Sequence, residues 1–468
     1  MNSTQFGKII SYPVDGQIYP QPLYLPQVNI PNQGTHDVVF VATENNSLYA
    51  FDADATSTPT TFWHVNLGAP IPKYDEGGPW PNIGILSTPV IDVTTNTIYV
   101  LAEVNAVTPP FWLHAIDVTT GADKVSPVAV TGSYSGESVS DACYQRMGLA
   151  LNPVSNLVYL AFGSCSNGWV LAYDKNSLAQ KAVFEDTSGA AGGGLWASGA
   201  APAIDDTVGD VYLMSGVDAG DQQWITGSTM VGYNDCFLRL DPNTLNVLDY
   251  FAPDNNYTLA VSDADLGSGG NILLPGSASV PNVLVGGGKD GNIFVLNRDS
   301  MGGFNDTSNN VLQTVHIGTS QYNNIFSTPV YWNGSLYYHS NSDVLRAFSW
   351  NGSADPGQQL STVPTSSGST TFGMHGATAS LSANGTSNAV IWEIDNSTYN
   401  STDPTASGAS VLHAYDATNL AKELYNSTQA GTRDQAGLAL KFTVPTIVNG
   451  RVFVPTGNEL DIYGLLGQ

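Results

Sequence analysis

Apolar runs along this chain are short and are interrupted every few residues by Asn-Gly, Pro or Ser/Thr clusters. That is the pattern of β-hairpins, and no amphipathic helix of consequence is predicted. Within the runs one phrase recurs eight times, apolar-x-Ala-x-Asp, with other apolar residues accepted at the Ala position. It reads Leu48-Tyr-Ala-Phe-Asp52, Leu113-His-Ala-Ile-Asp117, Val170-Leu-Ala-Tyr-Asp174 and Phe237-Leu-Arg-Leu-Asp241. It continues as Ile293-Phe-Val-Leu-Asn297, Leu345-Arg-Ala-Phe-Ser349, Leu412-His-Ala-Tyr-Asp416 and the degenerate Leu460-Asp-Ile-Tyr-Gly464. Spacings of 48 to 67 residues suit one four-stranded unit per repeat. A second element, a small residue or Pro leading into an apolar strand, precedes several copies, as in Ser87-Thr-Pro-Val-Ile, Ser327-Thr-Pro-Val-Tyr and Thr443-Val-Pro-Thr-Ile. Eight such units predict an all-β chain, an eight-bladed β-propeller of four-stranded antiparallel blades. Blades bury their faces on one another, so residues 1–468 are expected to form a single domain.

Charge narrows the partners. With 40 acidic residues against 14 Lys plus Arg, the chain carries −26 at neutral pH. Binding to nucleic acid or to an anionic membrane is disfavoured. Below about pH 3 most carboxylates are neutral, and so few bases leave little positive self-repulsion, which suits an acidic extracellular habitat. No apolar run reaches the ~18 residues of a membrane span. Met1 runs directly into polar Asn2-Ser-Thr, which reads as the start of a mature chain, so a secreted or periplasmic location is expected. Of three cysteines, Cys143 and Cys165 flank a hairpin turn centred on Val154, where a disulfide is feasible; Cys236 reads as a buried residue.

Four segments carry a resemblance to the quinoprotein-type propellers, the superfamily of pyrroloquinoline quinone (PQQ) dehydrogenases. Gln145-Arg-Met-Gly-Leu resembles the opening strand of a blade in cofactor-free relatives. Gly192-Gly-Gly-Leu-Trp196 resembles the segment whose Trp stacks on the quinone. Asp263-Ala-Asp265-Leu-Gly-Ser-Gly-Gly270 resembles the stretch with the catalytic Asp. Gly286-Gly-Gly-Lys289-Asp-Gly-Asn-Ile-Phe-Val-Leu-Asn-Arg298 resembles the strand whose Lys or Arg touches the quinone carbonyls. The resemblance implies a Ca²⁺ or lanthanide held by a Glu, an Asn and the catalytic Asp. Here the sequence departs: Tyr212-Leu-Met-Ser-Gly-Val217 ends in Val where the Asn belongs, and Asp218 beside it would point to the other side of a strand. The adjacent Cys-Cys pair of many such dehydrogenases is absent, and without Cys-x-x-Cys-His no attached haem is expected.

The candidate catalytic residues are Asp263, Asp265 and Asp290; the candidate substrate-binding residues are Lys289, Arg146 and Trp196. Asp263 and Asp265 stand two apart on a predicted strand and would face one side, as a coupled pair; an Asx-rich turn is the other reading. Lys289 is an anion clamp or an ordinary charge beside an Asp290-Gly291 turn. Arg146 meets a ligand or a neighbouring Asp, and Trp196 lines the channel or packs between blades. The scattered histidines, His375 among them, lack metal spacing, so no metal site is expected. Segment 69–85, with Pro79, Trp80 and Pro81, reads as a lid, a contact for a second subunit in a homodimer, or a plain loop.

Three classes of function remain open. The first is an exported, acid-adapted hydrolase of a small anionic substrate that needs no cofactor. Among relatives of the fold, tetrathionate hydrolases are similar in setting. The second is a PQQ- and Ca²⁺-dependent alcohol or sugar dehydrogenase, with Asp263 as base, Lys289 as quinone contact and Trp196 as stacking floor. The third is a non-catalytic propeller scaffold.

Overall fold

The structure, a computed structural model, describes residues 3–467 apart from 73–81, 135, 140–142, 164–166, 188–191, 198, 218–224, 227–228, 231 and 319–323. Among the described residues the chain is nearly all β, and the fold is an eight-bladed β-propeller of antiparallel four-stranded blades. The recurring phrase is the third strand of every blade. Contacts group the chain into two compact units, residues 1–130 with 368–468, and residues 131–367.

In the first unit, blade 1 runs Leu23–Ile30, Gly34–Ala42, Ser47–Asp52 and Thr61–Asn66, and blade 2 runs Val90–Asp92, Thr97–Glu103, Phe111–Asp117 and Val128–Ala129. Blade 7 comprises Ser380–Asn384, Ser387–Asp395, Val411–Asp416 and Glu423–Asn426. Blade 8 has Thr446–Val448, Arg451–Pro455 and Glu459–Leu465, and takes its outer strand, Phe6–Pro13, from the other end of the chain. Ring closure is therefore a strand pairing, Phe6 opposite Leu465 through Pro13 opposite Glu459.

The phrase is largely apolar because both faces of each blade are covered. In blade 1 Leu48 and Ala50 pack with Ile98 and Val100 of blade 2, whereas Tyr49 and Phe51 pack with Phe453 and Ile462 of blade 8. Period-two alternation thus sends one pair of side chains to each neighbour.

In the second unit, blade 3 is Ala150–Asn152, Leu157–Phe162, Trp169–Asp174 and Gln180–Glu185. Blade 4 is Ala203–Ile204, Val211–Met214, Phe237–Leu240 and Val247–Ala252, extended by a parallel strand, Gly303–Phe304. Blade 5 is Asn271–Pro275, Asn282–Gly287, Asn292–Asn297 and Gln313–His316; blade 6 is Val330–Trp332, Ser335–His339, Val344–Ser349 and Ser366–Thr371. Alternation repeats here: Ile293 and Val295 join a core with Leu336 and Phe348, while Phe294 and Leu296 join one with Tyr212 and Phe237.

The Asp that closes the phrase caps the hairpin that follows. Asp241 Oδ1 accepts from the Asn243 and Thr244 backbone N–H groups at 2.9 and 2.8 Å; Asp174 Oδ1 accepts from Asn176 and Ser177 at 3.1 and 2.9 Å. Asp117 and Asp416 do the same for Thr119 and Thr418. These Asx turns satisfy backbone donors that the outer strand cannot reach.

One expectation fails here. Asp263 and Asp265 are not on a strand. They lie between a six-residue helix, Asn256–Val261, and a 3₁₀ turn, Leu266–Ser268. Asp263 has φ 51°, so the backbone turns between the two carboxylates. Two Asp around an Ala carry no strand propensity, and the following Gly267-Ser-Gly-Gly270 favours a turn.

Cys143 is disulfide-bonded and Cys236 is a free, buried thiol. Cys165, Asp218 and the centre of segment 69–85 lie outside the described residues.

Candidate functional site

The candidate site lies within the second unit, at the end of blades 4 and 5 where the phrase strands begin. Its base is the loop Ser262–Gly270, laid across the hairpin Gly287–Asn292. Close approach is possible because Gly288 has no side chain: a Cβ there would lie 2.5 Å from the Asp265 carbonyl oxygen and 2.4 Å from that of Leu266. The Lys289 backbone N–H donates to the Asp265 carbonyl at 2.9 Å, and Ile325 N–H donates to the Gly288 carbonyl at 3.0 Å. Gly216 is needed for a similar reason, since its Cβ would meet Asp265 Oδ1 at 2.5 Å.

This scaffold brings three of the predicted residues together. Lys289 Nζ is bonded to Asp265 Oδ2, and lies 3.1 Å from Asp263 Oδ1 and 3.0 Å from the Asp263 carbonyl oxygen. Asp265 Oδ1 accepts from the Val217 backbone N–H at 2.7 Å. Asp265 is only 4% exposed, whereas the Asp263 carboxylate faces solvent. Burial pushes the Asp265 carboxyl above its usual range, and the Lys289 ammonium offsets that only in part. Burial pulls the Lys289 ammonium down, but Asp265 and Asp263 together hold it above its usual value.

Asp290, next along, turns back on its own hairpin. Its Oδ1 accepts from the Asn292 backbone N–H at 3.0 Å and its Oδ2 from the Asn292 side chain at 2.7 Å. Burial raises its pKa against those two bonds and against His316. The Asp290-Gly291 turn foreseen from sequence is present, with Gly291 at φ 75°, but Lys289 beside it is an ion-paired, largely covered side chain.

Trp196 reaches the same neighbourhood through backbone pairing. Gly193 and Gly194 pair with Val217 and Gly216, and the Ala197 N–H donates to the Gly267 carbonyl at 2.9 Å. A Cβ on Gly194 would sit 2.8 Å from the indole Nε1, which is buried and unpartnered among the described residues. Arg146 is half-buried ahead of Ala150–Asn152, two residues past the Tyr144–Gly163 bridge, and Gly163 in turn lies against Trp196.

Two buried carboxylates escaped the sequence reading. Asp235, fully buried, accepts from the Leu266 N–H at 2.9 Å through Oδ1, while Oδ2 has no partner among the described residues. Burial drives its pKa well up, and the nearby Asp265 and Asp290 charges add to that. Asp186 is also fully buried; Gly168 N–H donates to its Oδ1 at 2.7 Å, and a Cβ on Gly193 would collide with it. Burial lifts it well above the usual range too. Neither carries a local signal: Asp235 stands one residue before Phe237–Leu240 and Asp186 directly after Gln180–Glu185, and the capping aspartates border strands as well. Cys236 is held inert by the same burial, which raises its thiol pKa.

A hard cation with a quinone would need several oxygens converging beside Asp265. Both oxygens of Asp265 are engaged, one by a backbone N–H and one by Lys289, and Val217 presents a buried isopropyl group where the resemblance calls for an amide. Among the described residues no group of three or more His, Cys, Asp or Glu side chains is placed to hold a metal. The described residues do not fit that group.

Comparison with known proteins bears on the fold. No protein-family model matches the sequence, and none of the curated proteins matches it. Among solved structures the chain is similar to a quinohemoprotein alcohol dehydrogenase from Comamonas testosteroni, with TM-score 0.63 and 14% identity over 99% of this chain and 76% of that one. It is similar to a europium-containing methanol dehydrogenase, with TM-score 0.58 and 12% identity over 98% and 93%. It is also similar to BamB from Moraxella catarrhalis, with TM-score 0.54 and 11% identity over 98% and 99%. The class is thus the eight-bladed β-propeller. At these identities the likeness concerns the fold, which hosts both dehydrogenases and BamB. No helix among the described residues is long and apolar enough to cross a membrane.

Proposed function

We propose that this propeller is an exported, acid-adapted enzyme that hydrolyses a small dianion, tetrathionate in the first instance, at the Asp265–Lys289 centre without a quinone. The observation that carries this reading is one lysine surrounded by carboxyls that burial holds above their usual pKa: Asp265, Asp235 and Asp290. At neutral pH Lys289 is claimed by Asp265 and Asp263. In acid these carboxyls take up protons, the pair loosens, and the ammonium becomes available to a sulfonate oxygen. Repulsion from the −26 chain also fades as carboxylates neutralise.

The chemistry then needs a water and a proton source. Water oxygen bonds to a terminal sulfonate sulfur, and the S–S bond to it breaks with its electron pair leaving on the disulfane sulfonate. The balance is S4O6²⁻ + H2O → SO4²⁻ + S3O3²⁻ + 2H⁺, after which S3O3²⁻ sheds sulfur to give thiosulfate. Asp265 takes the water proton in those molecules where it is still ionised, a fraction that Lys289 enlarges. Asp235, more strongly biased to its neutral form, holds a proton near the centre; two carboxyls driven apart by their environments are the usual basis for dividing acid and base roles. Asp263, Asp290, Arg146 and Trp196 serve in substrate placement.

The test is turnover of tetrathionate by the purified chain at about pH 3 to 4, with EDTA present and no added quinone. Sulfate and thiosulfate appearing, and falling by roughly 10²- to 10⁴-fold in Asp265→Asn, is the expected result. No turnover there, with dye reduction once PQQ and Ca²⁺ are supplied with an alcohol, would replace the hydrolase with a dehydrogenase. Silence in both assays would leave a scaffold.

A further inference from the structure

The first unit holds a second acidic site that the proposed hydrolysis does not use. A cavity of about 200 Å³ is bounded by Asp15, Gln17, Glu44, Asn45, Thr405 and Asn458, with Val14, Pro404 and Leu438 as apolar wall. It lies where the turn Thr43–Asn46 of blade 1 meets the Val14–Gln17 segment that follows the ring-closing strand. The two segments are tied by backbone bonding, Glu44 N–H to the Gln17 carbonyl at 3.0 Å. Asp15 fixes the turn, accepting from Thr43 Oγ1 at 2.9 Å and Ser47 Oγ at 2.6 Å, and its carbonyl accepts from the Asn45 side chain.

Two side chains on this cavity are buried with one oxygen each left unpartnered. Glu44 is 1% exposed and Gln17 4%, yet Glu44 Oε2 and Gln17 Oε1 make no hydrogen bond among the described residues. Leaving buried acceptors unmet is costly, so a built site with two of them asks for a donor or a cation. The lining excludes an anion. It contains no Lys, Arg or His, and its titratable residues are the two acids, Asp15 and Glu44. Asp15 has spare lone pairs after its two hydroxyl bonds.

We infer that this cavity binds a small cation, a hard metal ion or a primary ammonium, with Glu44, Gln17 and Asp15 as its oxygen donors. Burial, with the Asp15 charge added and the Gln17 backbone opposing, pushes the vacant Glu44 carboxyl up to about 9. Glu44 is accordingly neutral at pH 7, and a bound cation draws it into its carboxylate form and expels the proton. Binding is therefore proton-linked, weakening as pH falls.

Calorimetric titration of the intact chain at pH 7 and 0.15 M NaCl, with CaCl2 in one arm and methylammonium chloride in the other, tests this. Each is run in HEPES and in Tris, whose ionisation heats differ. The expected result is one equivalent bound in one arm, with release of about one proton, and at least tenfold weaker binding without proton release in Glu44→Gln. That variant matches the neutral side chain in shape, so its melting temperature without cation stays unchanged and loss of binding is not loss of fold; Gln17→Leu weakens binding as well. The arm that binds identifies the class of cation. Failure of both cations to bind means the cavity holds water and overturns the inference. So does binding of equal strength and proton release in Glu44→Gln, as a surface of −26 would give.

Discussion

Aspartates at the two ends of the same strand behave in opposite ways. In blade 4, Asp241 closes the phrase strand and Asp235 stands just before it begins, with only Phe237–Leu240 and Cys236 between. Asp241 is edged upward by burial, but the N–H groups of Thr244 and Asn243 and the Thr244 hydroxyl outweigh that and hold it below the usual range. Asp235 has a single N–H, complete burial and other carboxylates nearby, and is driven well above it. Blade 3 gives a like contrast across two strands, with Asp174 at the end of Trp169–Asp174 lowered by the Ser177 amide first of all and Asp186 after Gln180–Glu185 raised by burial. The lesson is that residue type says little about protonation. The number of donors a carboxyl meets, against the water it loses, decides the sign.

Perturbing the two ends should give different sizes and pH signatures of effect. The largest is expected for Lys289→Met, which strands the buried Asp265. Breaking such a pair costs roughly 3–5 kcal/mol at pH 7, and much less at pH 4, where the carboxyl is protonated; urea unfolding at the two pH values checks this. An equal loss at both would mean that Lys289 acts by packing.

Next comes pH itself. Groups raised in the folded state contribute stability that is full below their unfolded pKa and lost as pH rises through the folded value. Glu44, raised to about 9, and Asp461, raised to about 7 by burial against Lys8, belong here with Asp235, Asp186 and Asp265. Lowered groups such as Asp241, Asp174 and Asp343 contribute above their unfolded pKa of 3.8 and lose it only as pH falls through lower values. The melting temperature should therefore rise from pH 8 to about pH 4 to 5 and decline below that. A maximum near neutrality would show that the buried acids are solvated.

Asp235→Asn should raise the melting temperature at pH 7 by a few degrees, since about 1 kcal/mol moves a chain of this size by only ~2–4 °C or less, and leave it unchanged at pH 4. Smallest of all, Asp241→Ala removes an Asx turn and should cost about 1 kcal/mol at pH 7. The two substitutions have opposite signs, and finding the same sign for both would remove the contrast.

The fold was open to reading because each blade repeats a local rule. Alternation in Leu48-Tyr-Ala-Phe-Asp52 already encodes two buried faces, and the terminal Asp encodes the turn after it. The site was only half open. Lys289 could be singled out as a rare base among glycines, and Asp263 and Asp265 as acids near a Gly-rich turn. Sequence alone pairs Asp263 with Asp265 on a strand; a loop carries them instead, and both meet Lys289. Asp235, Asp186 and Glu44 gave no such sign, because nothing in their local sequence distinguishes them from the capping aspartates.

What the sequence by itself determined is the blade: strand length, alternation, hairpin caps and their eightfold recurrence all depend on residues close together in the chain. Tertiary structure alone decided which acids are charged. Burial of Asp235 depends on residues around 256 and 266, that of Asp265 on Gly216 and Gly288, and that of Glu44 on Gln17 and Asn458. Desolvation is a property of everything packed around a group, and most of what surrounds these carboxyls comes from distant parts of the chain.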